Sequence, residues 1–175
     1  PSTVYIGQPP VVYSIENVSG ELTPGGTGSF EIHMENTDTV NFVDLTVIDM
    51  PNYLTVINTT GLGRFSFCEI AGDSCEIDAS TGEQPDGNYH FLSAIFNPEL
   101  GAVPGNGPIL RLDVEFSENI QNPSVIMMLT SLTSGDSFLS PILSVASGFG
   151  QFTGTNLAAD AEISLPLEFA LHPNY

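Results

Sequence analysis

The chain has 175 residues, with 21 Asp and Glu against two Arg (Arg64 and Arg111), no Lys, and a formal charge of −19 at pH 7. Nucleic acid and anionic lipid both demand a cationic footprint, so this balance excludes them as partners. No apolar run approaches the roughly 18 to 20 residues of a membrane helix, which excludes membrane insertion.

The length suits one domain, and 17 Gly, 13 Pro and frequent Val, Ile, Thr and Phe point to β structure. A start at Pro1-Ser2-Thr3 reads as a processed or trimmed chain, and the acidic surface places it outside the cytoplasm. Residues 1–10 form an N-terminal arm with a Val4-Tyr5-Ile6 patch, ending in the extended pair Pro9-Pro10. Residues 11–153 read as a β-sandwich domain, and 154–175 as a linker plus a C-terminal strand.

Within the domain, Val11 to Val18 alternates with Val11, Tyr13 and Ile15 inward, then stops at Ser19-Gly20. Thr23-Pro24-Gly25-Gly26 is a turn. Phe30 to Glu35 is a half-buried strand, Asn41 to Asp49 another with Val43, Leu45 and Val47 inward, and Tyr53 to Ile57 a third. Cys68 and Cys75 flank a six-residue hairpin that sets their sulfurs opposite each other. A disulfide is the expectation in an extracellular chain and two separate thiols the alternative. His90 to Phe96 is nearly all apolar, which predicts that both of its faces are covered. Ile109 to Phe116 alternates, Val125 to Leu132 is a buried strand, and Phe138 to Val145 and Gly148 to Thr153 complete the set. Nine or ten short strands with turns every 8 to 15 residues describe a two-sheet jelly-roll or Greek-key sandwich.

The last segment is the most regular. Ile163, Leu165, Leu167, Phe169 and Leu171 fall on alternate positions between Glu162, Ser164, Pro166, Glu168 and His172, giving a strand with one apolar flank.

Residues 11–153 resemble the cohesin module, the β-sandwich of bacterial cellulosome scaffolds and cell-surface proteins. The resemblance rests on the opening strand and the Thr23-Pro24-Gly25 turn, the alternating strand Phe30 to Glu35, and the step from Val43-Asp44-Leu45-Thr46-Val47 into Asn52-Tyr53-Leu54-Thr55-Val56. The segment Val103-Pro104-Gly105-Asn106-Gly107-Pro108 running into Ile109 to Phe116, and the Asp136 turn, complete it. It implies a non-catalytic module that binds a dockerin-type protein. The cysteine hairpin and the strand at 161–172 depart from that pattern.

Catalytic chemistry finds no residues in a productive pattern. None of His33, His90 and His172 has a Ser or Cys at a spacing that implies a nucleophile and base, and there is no Gly-x-Ser-x-Gly elbow. His33 reads as a solvated residue between Glu31 and Glu35, and His90 as a structural one. The absence of Trp argues against sugar platforms. Oxygen-rich clusters make Asp38, Asp86 and Asp136 candidate calcium ligands, although the same residues serve turns; no cofactor is required. Asn17-Val18-Ser19 and Asn58-Thr59-Thr60 match the glycosylation sequon.

Two functions follow. The first is an extracellular structural subunit that self-assembles into a fibre or surface layer, a homopolymer formed by β-strand donation. Ile163, Leu165, Leu167, Phe169 and Leu171 would then enter a neighbouring copy, with Val4 and Ile6 as a second donor. The alternative is a monomeric cohesin-like module for a dockerin-type partner, or a carbohydrate-binding module. It predicts exposed apolar and polar residues grouped on one sheet face.

Overall fold

Alternation of apolar and polar residues becomes alternation of burial along the chain. Val11, Tyr13 and Ile15 are buried, as are Phe30, Ile32 and Met34, and Val43, Leu45 and Val47, while their sequence neighbours face outward. The computed structural model describes residues 11–48, 53–63, 75–78, 88–95, 101–121, 123–138 and 140–154. Among them are eleven strands: β1 (Val11–Ser19), β2 (Thr27–Asn36), β3 (Phe42–Ile48), β4 (Leu54–Gly61), β5 (Cys75–Asp78), β6 (Tyr89–Ile95), β7 (Gly105–Phe116), β8 (Ser124–Gly135), β9 (Pro141–Ile142), β10 (Ser144–Ser147) and β11 (Gly150–Thr153).

They form two sheets. The five-stranded sheet has the order β10-β1-β2-β7-β4, and the six-stranded sheet the order β11-β8-β3-β6-β5, with β9 paired to β8. The pairing is antiparallel except where β10 runs parallel to β1, Val11 opposite Ser144. This is the expected jelly-roll sandwich.

The segment Phe138 to Val145, expected as one strand, is divided. Ile142 pairs with Ser134 in one sheet and Ser144 with Val11 in the other, so the chain changes sheets at Leu143. A buried polar node holds this crossing. Ser134 shares a 2.6 Å hydrogen bond with the Tyr13 hydroxyl, and Ser144 Oγ donates to Ser134 Oγ at 2.8 Å. Burial pushes the Tyr13 phenol above its ordinary range, against the smaller opposing effect of Ser134, so the hydroxyl stays neutral and can donate.

Ile109 and Leu110 are both fully buried, which strict alternation forbids. The register of β2 against β7 shifts between Ile32 and His33, and this bulge lets two successive side chains enter the core.

Asn36 ties two loops together. It is buried, and its Nδ2 donates to the carbonyls of Asp38 at 2.7 Å and Ala102 at 2.9 Å, joining the β2–β3 connection to the segment before β7. Val40 and Ala102 form a bridge beside it. Asn36→Ala strips these carbonyls of a buried donor and is expected to cost about 1 to 3 kcal/mol in urea unfolding.

Candidate interaction face

The two sheets present different outer faces. On the five-stranded sheet, Ser14, Glu16, Glu31, His33, Glu35, Arg111, Asp113 and Glu115 point outward by register. Most of these groups bond one another or a neighbouring asparagine. Asn17 Nδ2 donates to Glu31 Oε2 at 2.6 Å, His33 Nε2 to the same oxygen at 3.0 Å, and Ser14 Oγ to Glu16 Oε1 at 2.7 Å. Arg111 Nε donates to Asp113 Oδ1 at 2.9 Å and Asn58 Nδ2 to Asp113 Oδ2 at 3.0 Å.

His33 therefore departs from the expected solvated residue between Glu31 and Glu35. Its side chain is 14 % exposed and lies between Glu31 and Glu16, whose Oε2 is 3.5 Å from Nδ1. Glu16 arrives from β1 through the β1–β2 register, a cross-strand neighbour that spacing within β2 does not reveal. Both sequon asparagines, Asn17 and Asn58, sit at bulges on this face.

The donors around Glu31 and Asp113 favour their ionised forms. The His33 and Asn17 bonds hold Glu31 below its ordinary value of 4.5, and the Asn58 and Arg111 bonds hold Asp113 below 3.8. A carboxylate with a depressed folded-state pKa contributes stability that is full above its unfolded value and lost as pH falls through the folded one. Asp113→Asn should therefore be less stable than the native chain at pH 7, with the difference in urea midpoint closing as pH falls below 3.8. A difference that persists unchanged at pH 2 to 3 overturns that assignment.

The six-stranded sheet is different. By register, Thr46 of β3 lies between Thr130 of β8 and His90 of β6, and Asp44 between Thr133 and Leu92. Outward from these come Met128 and Ile126 of β8, 41 % and 43 % exposed. His90 Nε2 donates to Asp44 Oδ1 at 2.5 Å across the β3–β6 pair. This face thus combines two exposed branched or flexible apolar side chains, half-buried Leu92 and Phe42, three threonines and one His–Asp pair.

The expectation that both faces of β6 are covered is corrected here. Tyr89 and Phe91 face the core, whereas His90 and Leu92 face outward and are only half-buried. The apolar run reflects a core on one side and an apolar outer face on the other. His90, read from the sequence as a structural residue, lies on that outer face with its ring bonded to Asp44.

Of the other expected site residues, Asp38 is exposed on the β2–β3 connection. Asp136 Oδ1 accepts the Phe138 N–H at 2.8 Å and the Ser140 N–H at 2.9 Å, so it closes the turn after β8, and those backbone bonds lower its pKa. No group of three or more His, Cys, Asp or Glu that could hold a metal occurs among the described residues. Cys75 opens β5 opposite Ile95. Cys68, Asp86, Val4, Ile6, Ile163, Leu165, Leu167, Phe169 and Leu171 lie outside the described residues, and with them the expected disulfide and donor strands.

Among solved structures, the sixth cohesin of scaffoldin B from Acetivibrio cellulolyticus, in complex with a dockerin, superposes with a TM-score of 0.63 at 17% identity, over 83% of this chain and 99% of that one. The chain has the cohesin fold. A type I cohesin from Clostridium thermocellum, solved with its dockerin, gives 0.63 at 15% identity over 88% and 100% of the two chains. A non-cellulosomal cohesin from the hyperthermophilic archaeon Archaeoglobus fulgidus gives 0.61 at 16% identity over 85% and 93%. No protein-family model and no curated protein sequence matches the chain. The cohesin fold is therefore carried here by topology and core pattern. No helix among the described residues is long and apolar enough to cross a membrane.

Proposed function

We infer that this chain is a non-catalytic, extracellular recognition module of cohesin type, and that it binds a dockerin-type protein through the outer face of its six-stranded sheet. The observation that carries this reading is the grouping of exposed Ile126 and Met128 with the His90–Asp44 pair on one sheet face. The opposite face is mainly acidic and largely bonded to itself, with Ile57 of β4 as an isolated exposed apolar side chain. An apolar centre with a polar rim is the anatomy of a protein interface, whereas a self-satisfied acidic face offers little desolvation gain. Two of the superposing cohesins are recorded in complex with dockerins, which supports the class of partner.

The glycan reading has less support. Phe42 is the one Phe, Tyr or Trp pointing outward on either sheet among the described residues. The groove of about 410 Å³ over Arg111 and Asp113 has no aromatic side chain in its lining. Sugar recognition without a stacking platform gives up its main apolar contact. Self-assembly by strand donation needs an acceptor in another copy, and no described feature favours that over a contact within one chain.

Titration calorimetry against a panel of dockerin-type modules tests the reading. One-to-one binding that weakens with added salt is expected, because a chain of charge −19 steers a partner with a basic rim. Failure to bind any dockerin-type module, alongside retention on a polysaccharide column, overturns it.

A further inference from the structure

The two sequons, Asn17-Val18-Ser19 and Asn58-Thr59-Thr60, play no part in the docking face. Both asparagines are exposed on the outer side of the five-stranded sheet, but the fold presents them differently. Asn17 sits in an inner strand with a φ of 50°, in the left-handed region, and its Nδ2 is held by Glu31 Oε2 at 2.6 Å. A bond that short to a carboxylate is among the stronger kind.

Asn58 belongs to β4, which ends its sheet with no strand beyond it among the described residues. The pairing of β4 with β7 slips between Val56 and Asn58, leaving Ile57 out of register and 53 % exposed. Asn58 therefore stands beside a break in an edge strand, open to a transferring enzyme from the side. Its Nδ2 donates to Asp113 Oδ2 at 3.0 Å and to Thr60 Oγ1 at 3.4 Å. The hydroxyl that the sequon requires is thus already beside the amide.

Asn58 also lines the groove of about 410 Å³, which crosses the sheet from Ile57 over Arg111 and Asp113 to Ser29, Thr27 and Ser19. Its walls offer hydroxyls, one guanidinium, one carboxylate and one apolar side chain. The groove lacks the aromatic platform that a free sugar needs. A sugar linked to Asn58 needs none, because the covalent bond holds it there at high effective concentration.

We propose that Asn58 is a glycosylation site whose Nδ2 carries an N-linked oligosaccharide, with the first sugar lying in this groove. The donor is a lipid-linked oligosaccharide phosphate. The bond from Nδ2 to C1 of the sugar forms and the C1–O bond breaks. The lipid phosphate leaves with the electron pair, and one amide proton passes to a base of the transferase. The substituted nitrogen keeps one hydrogen, which retains the bond to Asp113, and the longer contact to Thr60 is given up. The sugar then covers the five-stranded sheet and leaves Ile126 and Met128 on the other sheet clear. This proposal rests on the extracellular placement of the module.

The test is peptide mass spectrometry on the chain recovered from outside the cells that make it, after cleavage at acidic residues. A hexose- or hexosamine-containing increment is expected on the peptide with Asn58, and none on the peptide with Asn17. Thr60→Ala, expressed in the same cells, removes the hydroxyl but keeps Asn58, and the increment should disappear completely while dockerin binding by calorimetry is unchanged. A bare Asn58 in a secreted chain that binds a dockerin-type module overturns the proposal and leaves the proposed function standing. An increment that survives Thr60→Ala, or one confined to Asn17, also overturns it. A chain found only inside the cells overturns the extracellular reading, and this proposal with it.

Discussion

Replacing Ile126 and Met128 together by Asp should weaken binding of a dockerin-type partner by at least about 100-fold while the fold persists. Both side chains are more than two-fifths exposed in the free chain, at 43 % and 41 %, so little core packing is lost. Loss of strand propensity at two half-exposed positions costs up to about 1 kcal/mol each. In the complex the balance reverses. Full burial of an Ile or Met side chain contributes about 1.5 to 3 kcal/mol, and a carboxylate in its place must be desolvated without a partner. A 100-fold loss requires only about 2.8 kcal/mol, so the estimate is conservative. Thr55→Asp, on the opposite sheet, serves as the control for added negative charge and should leave affinity within about threefold, because exposed rim charge acts mainly on association rate. Titration calorimetry reads both. An unchanged affinity in the double variant would remove the six-stranded sheet as the docking face.

Why that face was not read from the sequence has a physical cause. The run His90 to Phe96 and the run Val125 to Leu132 are apolar on both parities, and sequence alone assigns both parities to burial. Among the described side chains, Tyr89 and Phe91, and Val125, Met127 and Leu129, are buried in the core, with Leu132 partly buried against it. The remaining parity forms the exposed face. Nothing local distinguishes a side chain covered by its own sandwich from one held for a partner.

Where one face is polar, the sequence was enough. Val11, Tyr13 and Ile15, and Val43, Leu45 and Val47, are inward as expected, because a one-residue slip would expose an entire apolar set. Bulges escape this logic. Ile109 and Leu110 are both buried across a register shift, and Ser131 in β8 adopts a φ of 51° beside the shift between Asp44 and Thr46. Each is a solution to pairing with a strand distant in the chain. The same holds for Glu16 beside His33, and for Asn36, whose buried amide reaches a loop 66 residues away. Spacing suggested a turn or a cation ligand in that neighbourhood, and the tertiary structure uses Asn36 as a tie between loops.

Phe152→Ala should be among the most destabilising single substitutions in the chain. Phe152 is 1 % exposed and belongs to β11, a strand of only four residues. Its ring crosses between the sheets to meet Phe116 at 5.0 Å with an interplanar angle of 69°, and Phe30 at 6.3 Å with an angle of 71°. Edge-on packing of this kind adds about 0.5 to 1.5 kcal/mol to area burial for each pair. Truncation to Ala leaves a cavity between two sheets whose backbones are fixed by long antiparallel ladders, so collapse is limited and the cost is about 3 to 5 kcal/mol. For a domain of this length each kcal/mol lowers the melting temperature by roughly 2 to 4 °C, and a fall of roughly 6 to 20 °C follows. Phe138→Ala is the comparison, because that ring is 86 % exposed on the turn closed by Asp136. It should change stability by no more than about 0.5 kcal/mol. Equal melting temperatures for the two variants would mean that the rings of Phe30, Phe116 and Phe152 do not form the contact between the sheets. A large gap would place the junction between the two sheets on one ring of a strand only four residues long.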